Sequence, residues 1–538
     1  MTKNPDDSHQ TLALQGRHAI ATYLEQAIVC YQGNPFIEAL PPILTEDQVI
    51  EALARYPPYN EAERYMPSHL RLHAIQNALQ CFVPLPVHID LEQRFSRMIR
   101  AGYQRRNPIA PGFWSGLEVK CDSLATSTTI VGNSAVSLPL GFTIIGFPGV
   151  GKSTSVEAVL SLYPQVIYHN RYKDRDFNVA QIVWLKLECP FDGSPRGLCL
   201  NFFHAIDQIL GTNYEFNYAG VRRTTDELLP KMARLTQIHG LGVLVIDEIN
   251  RLSGLRGSAL KLLSFFVQLT NSMGVPVVLV GTYKAKLVLA GEFHQIRRGT
   301  GQGDLVWDRM EEGEWVEDAP NDTKPKQNPG VWQLLLESLW TYQYTHVACP
   351  LTKELAHVLY EETQGITDFA AKIYMLAQIR AIVTARPPEA EVITADIIRS
   401  VARDSLKQAQ RVLAALRSND TEYLSTVPDI NPISLDPYIQ QAEKDLKKTQ
   451  PPSSTNPARG QDSSPIPYGE KPPPKLNGAR KTKSKRTKKR EKVGYEASDL
   501  RAASAGAASA TTSVLDAIQE AGHFGEASEY MDENEKAG

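Results

Sequence analysis

The chain has little cysteine for its length, and none of it is paired in sequence. Cys30, Cys81, Cys121, Cys189, Cys199 and Cys349 are its six cysteines, scattered over 538 residues without a CxxC spacing. That argues against a zinc ribbon or a cysteine-stapled framework and suits a reducing compartment. Long apolar runs are also missing: nothing approaches the ~20 residues of a membrane-spanning helix. The first residues, MTKNPDDSHQ, are polar and acidic, the wrong character for a secretory leader. A cytoplasmic protein without membrane contacts is expected. His69 and His73 lie four apart with no accompanying ligand cluster, so satisfied or exposed histidines are expected rather than a metal site. The chain has no internal repeat. Its net charge is only −3, so any charge-based partner must be sought locally.

What is present is an apolar content of 42%, ordinary for a globular chain, in a length that implies about three domains at ~150 residues each. Residues 1–120 read as mostly helical, with amphipathic stretches at Leu70–Val83 and Leu91–Gln104. The second stretch carries Phe95, Met98 and Ile99 on one face. Arg94, Arg97, Arg100, Arg105 and Arg106 give a basic face, either solvated or in contact with DNA or a subunit. Residues 121–350 alternate apolar strands with helical patterns. The strand candidates are Phe142–Ile145, Gln181–Leu187, Leu241–Asp247, Val275–Gly281 and Thr345–Cys349, and Gly274 is placed to cap a helix over Ser258–Met273. The alternation predicts an α/β fold with a mainly parallel sheet. Residues 351–415 switch to helices alone, with Thr352, Thr367 and Thr394 as expected N-caps, and resemble a helical lid. Residues 416–493 read as a disordered linker containing eight basic residues in Arg480–Arg490. Residues 494–538 form a tail in which Ser513–Ala521 offers one short amphipathic helix, suited to docking on a partner or simply part of a disordered end.

The most informative stretch is GFTIIGFPGVGKST, Gly141–Thr154. Gly146, Gly151, Lys152 and Ser153 satisfy the phosphate-loop pattern GxxxxGK(S/T). Backbone N–H groups from Gly146, Phe147, Pro148, Gly149, Val150, Gly151, Lys152, Ser153 and Thr154, proline excepted, are expected to surround a polyphosphate. Glycines keep side chains out of its way. The following helix adds its positive end. Lys152 is expected to reach the β- and γ-phosphates, and the Ser153 hydroxyl to ligate Mg²⁺. The ligands implied are therefore ATP and Mg²⁺.

Leu241–Asn250, LGVLVIDEIN, supplies the second half. Asp247 at the end of an apolar strand is expected to hold Mg²⁺ with Ser153, and Glu248 to orient and deprotonate the attacking water. Thr282 follows the next strand, either as a γ-phosphate sensor or as an ordinary strand-end threonine. Arg297 and Arg298 precede the glycine-rich GTGQGD, and read either as surface charge or as a finger projected into a neighbouring subunit's site.

This order of parts resembles the AAA+ ATPases, whose sheet runs 5-1-4-3-2 and whose subunits form rings or spirals with ATP between them. PSHLRLHAIQ (Pro67–Gln76), PLPVHIDLEQRFSRMIRAGYQRRNP (Pro84–Pro108), GFPGVGKST and RRGTGQGDLVWDRM (Arg297–Met310) further resemble the TnsC family, related to TniB. The likeness spans about Pro57 to Arg411. It implies an ATPase that oligomerises on duplex DNA and links a TnsD- or TniQ-type target selector, in some systems CRISPR-guided, to the TnsA and TnsB transposase proteins of a bacterial transposon. In one place the chain departs from the AAA+ pattern: the lid turn expected to read GxxR is Gly365-Ile366-Thr367-Asp368, with Lys372 one turn later as a substitute. Sequence-independent DNA contacts are expected from Arg196, Arg222, Arg223 and Lys231. Two other readings fit the motifs: a nucleotide-switched scaffold with little hydrolysis, and another AAA+ DNA machine of the replication-initiator or clamp-loader type.

Overall fold

The computed structural model describes residues 15–111, 113–114, 141–220, 223–254, 260, 262–266, 270, 274–285, 303–316, 329–387, 390–418, 440–442 and 444–445. The basic run Arg480–Arg490 and the Ser513–Ala521 segment lie outside them.

The N-terminal region opens on a short strand, β1 (His18–Ile20), followed by helices α1 (Pro35–Glu38), α2 (Glu46–Leu53), α3 (Ser68–Ala74) and α4 (Pro86–Gln104). The core comprises β2 (Gly141–Gly146), α5 (Lys152–Ser161), β3 (Val166–Tyr172), β4 (Arg175–Ile182), β5 (Trp184–Glu188), α6 (Pro195–Leu210), α7 (Tyr214–Tyr218), α8 (Thr225–Ile238), β6 (Val243–Asp247), β7 (Val277–Gly281) and β8 (Leu305–Trp307). Five helices follow: α9 (Val331–Trp340), α10 (Lys353–Thr363), α11 (Thr367–Thr384), α12 (Ala395–Ser405) and α13 (Gln410–Ser418).

The central sheet runs β5-β6-β7-β2-β8 with every pairing parallel. Numbered within the sheet, that is the expected order 5-1-4-3-2. Strands β2, β6 and β7 are buried along their whole length, which explains their continuous apolar character. Gly146 lets the last two strands close up: a Cβ there would lie 1.8 Å from the Trp307 carbonyl oxygen on β8.

Four expectations need correction. The fifth strand is β8, not Thr345–Cys349, which is irregular. The polar groups of that stretch are met by side chains instead of a ladder. Arg64 Nε donates to the Thr345 carbonyl at 2.9 Å, and Cys349 N–H donates to Gln343 Oε1 at 2.8 Å. A second sheet, β1-β3-β4, was not anticipated, and it ties the N-terminal strand to the core through parallel β1–β3 pairing. Thr352 and Thr394 cap α10 and α12 as expected, but Thr367 is already inside α11, whose cap position is Ile366. The arginines of α4 and of the residues just after it divide. Arg100 and Arg106 are buried, Arg100 donating to the Pro41 carbonyl and Arg106 to the Leu241 carbonyl at 2.7 Å. They hold the helix to the rest of the protein and present no face to DNA. The expected inward residues Phe95, Met98 and Ile99 are buried. Gly274 has φ +66° and donates its N–H to the Thr270 carbonyl at 3.1 Å, the cap expected of it.

The N-terminal region also grips the C-terminal helices. Arg71 on α3 forms a two-pronged pair with Glu391, Nη1–Oε2 2.6 Å and Nη2–Oε1 3.0 Å, and Nη1 also donates to the Tyr344 carbonyl at 2.8 Å. Both side chains are almost fully buried. Burial alone would raise the Glu391 carboxyl, but hydrogen bonds from Arg71 and the His346 N–H outweigh it and hold the group below its ordinary value. Removing one partner strands the other charge. Arg71→Met is therefore expected to cost about 3–5 kcal/mol in denaturant unfolding. Because the folded Glu391 value is lowered, its contribution is complete above the ordinary carboxylate range and drains away as pH falls through the lowered value. A parent chain whose unfolding midpoint equals that of Arg71→Met at neutral pH would refute this assignment.

Candidate nucleotide-binding site

Strand β2 ends in a tight loop that turns directly into α5. Gly149 and Gly151 have φ of +82° and +90°, conformations open to glycine and strained for other residues. The loop's own carbonyls hold Lys152, whose Nζ donates to Phe147 at 2.6 Å and to Gly146 at 3.2 Å. The side chain is 8% exposed, so its charge is already positioned inside the loop.

Strand β6 delivers Asp247 to the same edge, and its side chain is buried. Its Oδ1 accepts from the Glu248 N–H at 2.9 Å. Glu248 has φ +57°, uncommon for a non-glycine residue, and this hydrogen bond helps hold it there. Glu248 Oε2 accepts from Asn250 Nδ2 at 3.1 Å, which fixes the carboxylate's direction. Thr282, just after β7, has a buried Oγ1 without a hydrogen-bond partner among the described residues. A buried hydroxyl in that condition costs stability unless a ligand or water meets it.

These groups line one cavity of about 900 Å³, large enough for a nucleotide. Pro148 through Thr154, Asp247, Glu248 and Thr282 all face it, while Gly146 and Phe147 act from behind through their carbonyls. The cavity's other walls come from Ala78, Leu79, Cys81, Phe82 and His88 in the N-terminal region and from Thr367, Asp368 and Lys372 on α11. Ser153 and Asp247 both offer oxygen ligands to this cavity, and suit a small hard cation bound largely through water. Among the described residues no group of three His, Cys, Asp or Glu forms a dedicated metal cage.

The structure adds residues that the motifs did not reveal. Lys186 on β5 bridges Asp247 Oδ2 at 3.0 Å and Glu157 Oε1 at 2.8 Å. Burial opposes its charge, but Asp247 and Glu157 more than compensate and raise its value. Its signal in the sequence was a lone lysine in the apolar strand WLKLE. His88 on α4 accepts the Leu85 N–H at Nδ1 (2.8 Å) and meets Ser155 Oγ at Nε2 (3.0 Å), and Ser155 donates to the Gly151 carbonyl at 2.7 Å. With Nδ1 accepting, Nε2 carries the proton, so a chain of three hydrogen bonds runs from α4 to the phosphate loop. Burial lowers His88 to about 4 and keeps it neutral. Arg309 also lines the cavity and donates to Gln364 Oε1 at 2.8 Å.

In the first turn of α11, Asp368 occupies the position where an arginine was expected. Its N–H donates to the Gly149 carbonyl at 3.1 Å, and the Thr367 hydroxyl donates to the same oxygen at 3.1 Å. Lys372 lies 2.7 Å from Asp368 Oδ1. The lysine that could substitute for the missing arginine is thus present at the cavity but paired with Asp368. Of the expected DNA-contacting residues, Arg196 donates to the Arg223 carbonyl, Arg223 pairs with Glu227 at 3.4 Å, and Lys231 lies 5.0 Å from the Tyr218 ring centre. Burial and the nearby Arg223 lower the Lys231 value, so these cations form one cluster. Arg222, Arg297 and Arg298 lie outside the described residues. Among the described residues, no helix is long and apolar enough to cross a membrane.

Residues 140–289 match the family described as AAA domain. No curated protein matches the chain. Among solved structures, the Aeropyrum pernix ORC1 protein, determined in complex with DNA, is 14% identical over 63% of this chain and 83% of its own, with a TM-score of 0.32. A Walker-type ATPase of Pyrococcus abyssi is 13% identical over 62% of this chain and 88% of its own, with a TM-score of 0.29. PCH-2 of C. elegans is 11% identical over 59% and 70%, with a TM-score of 0.24. The phosphate loop, the parallel sheet in 5-1-4-3-2 order and the matched segment together identify the core as an AAA+ P-loop domain.

Proposed function

We propose that this chain is an ATP-hydrolysing regulator of DNA transposition of the TnsC type. In this reading ATP drives its assembly into a ring or helical oligomer on duplex DNA, without regard to base sequence. The oligomer connects a TnsD- or TniQ-type selector to the TnsA and TnsB proteins, and hydrolysis times its disassembly. The observation that carries the ATPase part is the convergence of Lys152, Ser153, Asp247, Glu248 and Thr282 on one cavity. The transposition part rests on the quoted segments Pro67–Gln76, Pro84–Pro108 and Arg297–Met310.

In the reaction, Lys152 exchanges its loop carbonyls for the β- and γ-phosphate oxygens of ATP. Ser153 and Asp247 are the residues that would hold Mg²⁺, which when bound supplies positive charge beside the developing phosphate charge. Glu248 accepts a proton from water as the water oxygen attacks the γ-phosphorus and the bond to ADP breaks. Thr282 Oγ1 hydrogen-bonds the γ-phosphate or that water. Arg297 or Arg298 reaches into the neighbouring subunit's site and stabilises the transferred group.

ATP turnover measured with and without duplex DNA tests the proposal, with DNA expected to change the rate. Glu248→Gln is expected to slow turnover about 100-fold or more while nucleotide binding is retained. Unchanged turnover would remove Glu248 from the role of base, and a parent chain that binds ATP but never turns it over would favour the switched scaffold.

The cationic cluster gives a second prediction. Arg196→Ala and Arg223→Ala should each weaken duplex DNA binding by a similar factor for unrelated sequences and reduce the salt dependence by about one phosphate contact. Binding that is unaltered across a salt titration would exclude these residues from the DNA surface.

A further inference from the structure

A largely buried lysine on the edge strand of a parallel sheet needs a reason. Lys186 interrupts the apolar strand β5, and its side chain is 10% exposed. Strand alternation puts Leu185 and Leu187 on the face that packs with α6 and α8, and Lys186 on the other face, toward α5. There it touches Glu157 of α5 and Asp247 at the end of β6. Asp247 is therefore engaged at both oxygens, Oδ1 by the Glu248 N–H and Oδ2 by the Lys186 ammonium. The three side chains carry one positive and two negative charges.

We propose that Lys186 is a positioning residue that sets the Mg²⁺ requirement of the nucleotide site through Asp247. The inference rests on the ATP–Mg²⁺ reading above. The ammonium holds the Asp247 carboxylate in place and offsets part of the charge that would attract a divalent cation. Glu157 counters it by sharing the ammonium and drawing it toward α5. The site thus binds Mg²⁺ less tightly than its carboxylates alone would, so cation occupancy depends on the nucleotide's own phosphates. Such a site loses its cation readily once the γ-phosphate has gone, which suits a protein whose assembly is timed by nucleotide.

The two partners of this arrangement predict opposite effects. Lys186→Met raises the local negative charge by one, and Glu157→Gln lowers it by one. In the double variant the charge equals that of the parent. The experiment follows binding of a fluorescent, non-hydrolysable ATP analogue to the full chain as free Mg²⁺ is varied. Lys186→Met should lower the half-saturating Mg²⁺ concentration about tenfold, Glu157→Gln should raise it several-fold, and the double variant should return close to the parent value. Damage to packing would weaken binding in both single variants, so it cannot imitate opposite signs. If both shift upward, or neither moves, the proposal for Lys186 is overturned while the ATP site stands. A parent chain that shows no Mg²⁺-dependent binding of the analogue overturns the ATP–Mg²⁺ reading itself. Should Lys186→Met fail to fold, the charge-balanced double variant and Glu157→Gln still decide: equal half-saturation in the two contradicts the proposal.

Discussion

A single backbone oxygen joins the two halves of this nucleotide site. The Gly149 carbonyl, at the tip of the phosphate loop, accepts both the Asp368 N–H and the Thr367 hydroxyl from the first turn of α11. The Asp368 N–H is one of the groups that a helix start leaves unmet. Helix α11 thus satisfies part of its own end by bonding to the phosphate loop. A change in the loop's conformation on binding a polyphosphate would act directly on these α11 hydrogen bonds. His88 and Ser155 tie the same loop to α4. The phosphate loop is held between an N-terminal helix and a C-terminal one, and both belong to segments outside the matched AAA domain residues.

The charges at the site follow the same economy of placement. Lys152 rests on carbonyls, Asp247 rests on Lys186 and on the backbone of Glu248, and Lys372 rests on Asp368. None of these groups is left as a bare buried charge, a condition that would cost several kcal/mol. Each protein partner can be exchanged for a phosphate oxygen or a cation. In the proposed reading, ligand binding replaces these contacts with contacts to phosphate oxygens and a cation.

Much of this was legible in the sequence, and the reasons differ by element. Lys152, Asp247 and Glu248 were readable because phosphate and metal chemistry allow few residue types at fixed spacing, and because β2 and β6 are short apolar runs buried on both faces. The sheet order followed from the family resemblance and agrees with the observed pairing. Strand β8 was hidden because three residues after a glycine-rich stretch carry no periodicity. Thr345–Cys349 looked like a strand because its composition is apolar, and only the distant Arg64 and the nearby Gln343 show why its backbone needs no ladder. Arg100 and Arg106 read as part of a basic face, solvated or in contact with DNA or a subunit, because helical spacing alone cannot show that carbonyl acceptors lie beneath them. Lys186 and His88 act through contacts distant in sequence, which no local motif encodes.

The central claim is that nucleotide held by Lys152 maintains an assembly on DNA. Its most direct test is analytical sedimentation of the full chain mixed with duplex DNA of unrelated sequences, in a non-hydrolysable ATP analogue and in ADP. The account predicts large DNA-bound oligomers with the analogue, few with ADP, and none with either nucleotide for Lys152→Ala. Oligomers on DNA that form equally well in ADP, or that Lys152→Ala forms as readily as the parent, would contradict it.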